Sequence, residues 1–363
     1  VYFAVFSHIA QKESCSIRQR LEEFVAEAQL ADRSGLDYMF TTEHHFTGRF
    51  SLSPSQPVSL ALIAQATRRI RFGPMVVILP ITQPLRVLEE LIILDHFSGG
   101  RLELGFGRGI TPHEHVTYGV EPHEDKERFQ EALDFLAKAM SSEGRFSWLG
   151  KHYTYIDVDL AWRFLQQPHP FIWCPTNTPD NAYEYGKLGW GTGGFGVLGA
   201  GFYEKVFPEY RRGWAEGGHP AEGQRLCYLT STIIADTDSE ARDLMYEHFD
   251  RQMDLFKLER ELSREATGGD LSRAAQASLT RLNALTADMK ASDDDLRFLC
   301  GSPDTVIGKI KALRERLGFN VFIGEYSFGE LPFEVVEHSY ELLVSKVMPA
   351  FAADREIEPA DAG

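Results

Sequence analysis

Glu43-His44-His45 is the stretch of this chain best suited to chemistry. An imidazole exchanges protons near neutral pH, and a pair of them beside a carboxylate is also a potential metal-ligand set. The segment Thr41-Thr42-Glu43-His44-His45-Phe46 follows an amphipathic helix pattern, Ile17 to Arg33, and a short apolar run, Asp37-Tyr38-Met39-Phe40. The histidines therefore sit where a strand gives way to a loop. In a β/α barrel that place is the C-terminal face, where such folds do their chemistry. Two loop histidines alone are ordinary, so the weight rests on the other segments. A metal-dependent hydrolase barrel would want His-x-His near its first strand and further ligands on late strands. The first strand offers only His8, and His219, His248 and His338 fall outside strand ends. No metal is expected, and His113-Glu114-His115 reads as a loop that lines the pocket.

Two more segments suit an anion. Leu102-Glu103-Leu104-Gly105-Phe106-Gly107-Arg108-Gly109-Ile110 is an apolar strand ending in Gly-x-Gly-Arg-Gly. Its glycines either let a ligand approach the backbone or serve a turn of positive φ, and Arg108 offers a fork for phosphate. Pro175-Thr176-Asn177-Thr178-Pro179-Asp180-Asn181 opens a helix, where hydroxyls and free N–H groups hold anions or simply form a cap. Two anion-friendly loops on neighbouring strands point to a phosphate-bearing cofactor.

The elements that would position these groups alternate along the chain. Strands are expected at Tyr2–Phe6, Tyr38–Thr41, Arg71–Leu79, Leu102–Phe106, Phe171–Cys174, Thr192–Phe195, Tyr228–Ala235 and Asn320–Gly324. Helices are expected at Ile17–Ser34, Pro57–Ala66, Leu85–Phe97, Lys126–Ser141, Asn181–Gly186, Tyr203–Gly213, Ser239–Lys257, Pro303–Leu317 and Glu334–Val347. This alternation predicts an α/β fold, a single (β/α)₈ TIM barrel over residues 1–363, with insertions at about 144–170 and 259–299. An open doubly wound sheet would want a glycine-rich turn after its first strand, and Ser7-His8-Ile9-Ala10 is not one. The helices at Pro57–Ala66 and Leu85–Phe97 are apolar on more than one side, which predicts a dimer interface that includes Leu91 and Ile92, or cover by an insertion.

Bulk composition excludes several classes. The 363 residues are 43% hydrophobic and 25% charged, enough for a full core. A net charge of −16 disfavours nucleic acid and anionic membranes. Cys15, Cys174, Cys227 and Cys300 are far apart, which fits a reducing, cytoplasmic setting. The apolar run at Val1–Phe6 is too short for a signal segment, and no run has the length of a membrane span.

The motifs jointly resemble the bacterial luciferase family. Thr41 to Thr47 is similar to that family's Glu-His-His segment, and Val77-Ile78-Leu79-Pro80-Ile81-Thr82-Gln83-Pro84-Leu85-Arg86 to its third strand and loop. Leu94-Asp95-His96-Phe97-Ser98-Gly99-Gly100-Arg101 with Gly107-Arg108-Gly109 is similar to its third helix and fourth strand. Gly301-Ser302-Pro303-Asp304-Thr305-Val306 and Val347-Met348-Pro349 resemble its C-terminal signatures. The resemblance implies a flavin-dependent monooxygenase on a TIM barrel. A separate reductase would supply reduced FMN (FMNH2), which with O₂ gives a C4a-(hydro)peroxyflavin that oxygenates a small aldehyde or ketone-like substrate. It assigns His44 as general base or proton donor, with Glu43 and His45 beside it. It assigns Arg108, flanked by Gly107 and Gly109, to the cofactor phosphate, with Asn177, Thr178 and Asn181 opposite. Arg128 is the second phosphate arginine, with Lys126 as its competitor. A non-proline cis peptide under the flavin would fall at Met75-Val76. Gly107 stands where luciferase has a reactive cysteine, and Gly191-Thr192-Gly193-Gly194-Phe195-Gly196 is stripped of bulk, so neither long-chain aldehydes nor light emission is implied. An oxidoreductase using the deazaflavin F420, or a non-catalytic flavin-binding subunit, would fit the same fold.

Overall fold

The inward and outward faces of each strand divide the core into two parts. In the computed structural model, which describes residues 1–354 apart from Gly48, Pro122, 267–288 and Asp295, the strands β1 (Tyr2–Ser7), β2 (Tyr38–Thr41), β3 (Arg71–Pro74), β4 (Leu104–Gly107), β5 (Ile172–Trp173), β6 (Thr192–Phe195), β7 (Leu226–Ile234) and β8 (Val321–Glu325) are all parallel. β1 pairs with β2 and β8, β2 with β3, β7 with β6 and β8, and β4 with β5. Single bridges Phe72–Leu102 and Trp173–Gly191 join the two arcs. The eight strands are thus linked around a ring, as the alternation predicts, and a short strand, Leu299–Gly301, pairs parallel to β7 beside it.

Because side chains alternate along a strand, one set points into the barrel. Tyr2, Ala4 and Phe6 of β1, Tyr38 and Phe40 of β2, Cys227 and Leu229 of β7, and Val321 and Ile323 of β8 pack there with Met75 and Trp173. The intervening residues, such as Phe3 and Val5, pack under the helices. The inward series continues past each apolar layer: His8 follows Phe6, Ser231 follows Leu229, and Glu325 follows Ile323. The barrel mouth is thus lined by polar groups set directly on an apolar plug.

The outer helices have local reasons to begin and end where they do. α1 (Ile17–Arg33) opens on a Ser16–Gln19 capping box. α2 (Gln56–Ala66) and α3 (Pro84–Ser98) each carry proline in the first turn, and α3 stops at Gly99, whose φ is 69°. α4 (Pro112–Thr117), α5 (Asp125–Ser141), α6 (Pro179–Lys187), α7 (Phe207–Glu216), α8 (Asp238–Ala266), α9 (Pro303–Leu317) and α10 (Phe333–Leu342) complete the described set used below. No helix among the described residues is long and apolar enough to cross a membrane.

The structure corrects or details several expectations. The run Arg71–Leu79 is not one strand: it is β3, a cis peptide at Met75-Val76, a two-residue strand Val77–Ile78 paired with β4, and a 3₁₀ turn. His113-Glu114-His115 is the short helix α4, not a loop. Residues 144–170 hold an antiparallel hairpin, Phe146–Leu149 with Thr154–Val158, packed against α5. α8 runs without interruption from Asp238 to Ala266, past the expected helix end at Lys257, and residues 267–288 of the region expected as the second insertion lie outside the described residues. In α3, Leu91 and Ile92 are buried, so they do not form a surface. The apolar residues that α2 and α3 do expose are Val58, Leu62, Ile93 and Phe97.

One buried carboxyl ties the helical shell together. Glu27 of α1 is fully buried and accepts a hydrogen bond from the Tyr340 hydroxyl of α10 at 3.2 Å. Burial pushes its carboxyl up to about 7, against the pull of the Arg20 guanidinium. The folded chain thus keeps a proton that the unfolded chain has released, so stability falls as pH rises from the ordinary carboxylate value to about 7 and levels off above it. Glu27→Gln should abolish that slope. Urea unfolding at pH 5 and pH 8 should show the variant gaining about 3 kcal/mol on the wild type between the two; parallel pH dependences would contradict the assignment.

Candidate active site at the barrel mouth

His44 and His45 leave β2 at the C-terminal end of the barrel, and each is met by its own carboxylate. His44 Nδ1 lies 3.0 Å from Glu114 Oε1, and the same oxygen accepts the His45 backbone N–H at 2.7 Å. His45 Nε2 lies 3.0 Å from Glu43 Oε1, and Glu43 Oε2 accepts the Ile78 N–H at 3.3 Å. The Tyr118 hydroxyl lies 3.1 Å from His45 Nδ1. With Glu43 as acceptor, His45 donates from Nε2 and accepts from Tyr118 at Nδ1. Burial raises the Glu43 carboxyl, while its hydrogen bond with His45 pulls it down.

This pairing gives the two histidines different capacities. Both ring nitrogens of His45 are engaged. His44 uses Nδ1 on Glu114, and its Nε2 makes no hydrogen bond among the described residues. A carboxylate on one ring nitrogen fixes the ring and leaves the other for proton exchange, the arrangement that general acid–base catalysis requires. Phe46, next in sequence, has φ 59° and is half exposed. A bulky residue at positive φ costs of order 1–3 kcal/mol, and such strain clusters at functional sites.

Glu114 arrives from α4, whose position is set by the turn after β4. Gly109 has φ 81°, and the His115 ring lies 2.9 Å from Arg108 O and 3.0 Å from Thr111 O, which ties the turn to the helix. A Cβ at Gly107 would come within 2.2 Å of Val76 Cγ2. Close packing and backbone conformation therefore account for these two glycines, as the turn reading has it. Met75 and Val76 flank the cis peptide at the place the resemblance implies. Glu114 Oε2 and Thr111 Oγ1 are buried and have no hydrogen-bond partner among the described residues. Buried polar atoms are normally partnered, so this side of the mouth has unused capacity for a ligand.

The expected phosphate residues lie at the outer end. Arg108 is half exposed and reaches Asp125 at the start of α5 at 3.5 Å. Burial raises the Tyr185 phenol on α6, and the nearby Arg108 charge opposes that shift. Arg128, three residues after Asp125, shares its helix face and bonds Glu124 at 3.2 Å, whereas Lys126 is exposed. Thr178 stands at the N-cap of α6, yet no side chain caps that terminus, and Asn177, Thr178 and Asn181 are exposed. Asn177 Oδ1 accepts the Tyr203 hydroxyl at 2.9 Å. An uncapped helix N-terminus suits a phosphate, and the Arg108 charge is felt by Tyr185 of the same helix, so the residues present fit a phosphate-bearing cofactor.

Two residues of the site, Tyr118 and Glu325, were not singled out in the sequence, and Glu114 was expected only as part of a pocket-lining loop, not as the partner of His44. His8, set aside as an insufficient metal ligand, is a third. Its Nδ1 lies 2.5 Å from Glu325 Oε1, and the Ser231 hydroxyl donates to Glu325 Oε2 at 3.1 Å. Continuing the inward alternation of β1, β7 and β8 by one step finds His8, Ser231 and Glu325; nothing local finds Glu114.

Comparison with known proteins identifies the family and supports the fold. Residues 1–320 match the model of the luciferase-like monooxygenase family. The oxygenase component of the flavin-dependent trigonelline monooxygenase of Acinetobacter baylyi is 25% identical over 97% of this chain and 96% of its own. Against two uncharacterized proteins of Sinorhizobium fredii, the match spans only about half the length of each, 52% and 53%. Among solved structures, monooxygenase RslO1 of Streptomyces bottropensis superposes with a TM-score of 0.83 at 25% identity, covering 97% of this chain and all of that one. The FMN complex of the oxygenating constituent of 3,6-diketocamphane monooxygenase, from a Pseudomonas putida plasmid, gives 0.75 at 22% identity, covering 96% and 98%; at that identity it supports the fold.

Proposed function

The chain belongs to the luciferase-like monooxygenase family, and from that premise we propose that it is the oxygenase component of a two-component flavin monooxygenase. It takes reduced FMN from a separate flavin reductase and oxygenates a small aldehyde or ketone-like substrate. The observation that carries this reading is His44, buried at a strand end with Nδ1 on Glu114 and no hydrogen bond at Nε2 among the described residues. The bound flavin supplies the oxygen activation. The chain supplies the rest. Arg108, Arg128 and the α6 N-terminus with Asn177, Thr178 and Asn181 hold the phosphate. Met75, Val76, Gly107 and Gly109 form the surface under the ring system. His44 holds or moves a proton at Nε2, Glu114 fixes that ring, and Glu43 with Tyr118 keeps His45 in place. The flavin-dependent relative supports the cofactor class, and its being an oxygenase component supports the separate reductase. Four unpaired cysteines support a reducing, cytoplasmic setting.

We further propose a homodimer formed through Val58 and Leu62 of α2 and Ile93 and Phe97 of α3, which are 63%, 36%, 52% and 58% exposed. Ile93→Glu with Phe97→Glu should convert a dimer to a monomer in sedimentation without loss of folded structure. An unchanged sedimentation coefficient places the interface elsewhere.

The cofactor assignment has a direct check. A charge-assisted phosphate contact is worth on the order of 1.5–3 kcal/mol. Arg108→Ala should therefore weaken reduced FMN roughly ten- to a hundredfold in anaerobic titration, and should weaken riboflavin, which lacks the phosphate, far less. Equal losses contradict the phosphate role, and tighter binding of F420 than of reduced FMN would favour a hydride-transfer reading.

The catalytic assignment predicts a split between chemistry and binding. General acid–base catalysis contributes about 10²- to 10⁴-fold, so His44→Ala should cut product formation by about that factor. Reduced-flavin affinity should stay within about twofold, since a ring not bonded to the phosphate carries little of the binding energy. Oxygen should be consumed with peroxide released in place of product. Wild-type turnover and coupling in His44→Ala would leave the pair a structural feature.

A further inference from the structure

The barrel mouth holds a second imidazole that the family reading does not use. His8 extends the inward series Tyr2, Ala4, Phe6 of β1 by one step, above the apolar plug. It is buried, with Nδ1 2.5 Å from Glu325 Oε1. Both oxygens of Glu325 are engaged, the second by the Ser231 hydroxyl at 3.1 Å. A carboxylate is acceptor only, so Nδ1 carries the proton that faces Glu325. Nε2 makes no hydrogen bond among the described residues. The His8 and His44 rings are nearly parallel, at 18°, with centroids 6.1 Å apart. Each therefore has a carboxylate behind it, Glu325 or Glu114, and one nitrogen left over.

Two further observations argue that His8 is more than filler. Its surroundings are apolar: Phe6 at 4.8 Å, Phe50 at 4.9 Å and Phe256 of α8 at 5.7 Å between ring centroids. A phenylalanine would suit those neighbours without the cost of burying a carboxylate. The backbone is also held at positive φ just after it, at Ile9, φ 52°, as it is at Phe46 just after His45. For a β-branched residue this is costly and is kept where geometry matters.

We propose that His8 is a second substrate-contacting residue, held by Glu325 and Ser231 so that Nε2 meets an oxygen on the substrate while Phe50 and Phe256 flank the substrate's apolar body. This rests on the monooxygenase reading and deepens it: His8 sets which substrates fit, those with an oxygen function on an apolar or aromatic frame. A neutral ring accepts from an O–H at Nε2, and a protonated ring donates to a C=O.

The test uses His8→Asn. Asparagine places an amide nitrogen where Nδ1 stands, so it retains a donor for Glu325 and loses only Nε2. The probes are benzaldehyde and benzyl alcohol, with toluene as the apolar control, bound to the full-length protein without flavin turnover. The affinity of at least one oxygenated probe should fall about three- to tenfold in His8→Asn, as for a single hydrogen bond. Toluene affinity should not change. In wild-type protein with ¹⁵N-labelled histidine, the Nε2 signal that His8→Asn removes should shift with that probe and not with toluene. If both oxygenated probes bind the variant as tightly as wild type, or no Nε2 signal moves, His8 is structural. Because neither readout uses oxygenation, failure here is distinct from failure of the His44 and Arg108 assignments.

Discussion

A carboxylate shut away from water has to be met by donors, and at this barrel mouth three such carboxylates are met largely by histidine. Glu114 receives His44 and the His45 backbone, Glu43 receives His45 and Ile78, and Glu325 receives His8 and Ser231. Leaving any of them unpaired would cost several kcal/mol, so each pair fixes the other member. The pairing converts flexible side chains into oriented rings. It also sorts them: His45 is saturated on both nitrogens, whereas His44 and His8 each retain one.

The apolar plug beneath makes that pairing obligatory. Tyr2, Phe6, Tyr38, Phe40, Trp173 and Ile323 fill the barrel beneath the mouth with apolar side chains. Stability and chemistry are thereby separated by height along the same strands. On β1, β7 and β8, two or three residues of the strand serve the core, and the next inward residue serves the mouth. The same separation operates at the edge of the site, where Val76 packs so closely on Gly107 that no other residue would fit without movement. The turn carrying Arg108 is then held by the His115 ring, so a surface arginine inherits a fixed origin.

Much of this was legible in sequence, and the exceptions have physical causes. Strand and helix positions follow hydrophobic period and capping signals, which are local, and the Glu-His-His segment stands out by composition. The break in Arg71–Leu79 follows Gly73-Pro74, interruption signals that the unbroken apolar run Met75–Leu79 masks in a pattern reading, and only the resemblance pointed to the cis peptide there. Leu91 and Ile92 cannot be told from Ile93 by type, since only the rotation of α3 against the barrel decides which faces outward. Glu114 lies 70 residues from His44, on a helix of six residues that carries too few positions for a periodic signal. His8 is visible only when read in register with Glu325, 317 positions away. Local pattern locates elements, and partners brought together by barrel closure need the ring itself.

The placement of α8 follows from the same logic. It leaves β7, the strand that carries Ser231, and lies over the mouth: Phe256 packs on Phe50 at 4.5 Å and on His8 at 5.7 Å, and Ser263 accepts the His113 N–H at 3.3 Å. Phe50 touches both free imidazoles, at 4.9 Å from His8 and 4.6 Å from His44. One aromatic side chain from the β2 loop and one from α8 thus form a shared wall above two carboxylate-held rings. Low polarity there strengthens every hydrogen bond the rings make and penalises a substrate group that makes none. On the proposed reading, discrimination at this mouth depends on the match between a substrate's polar atoms and two nitrogens, with the hydrocarbon frame free to vary within the space that α8 leaves.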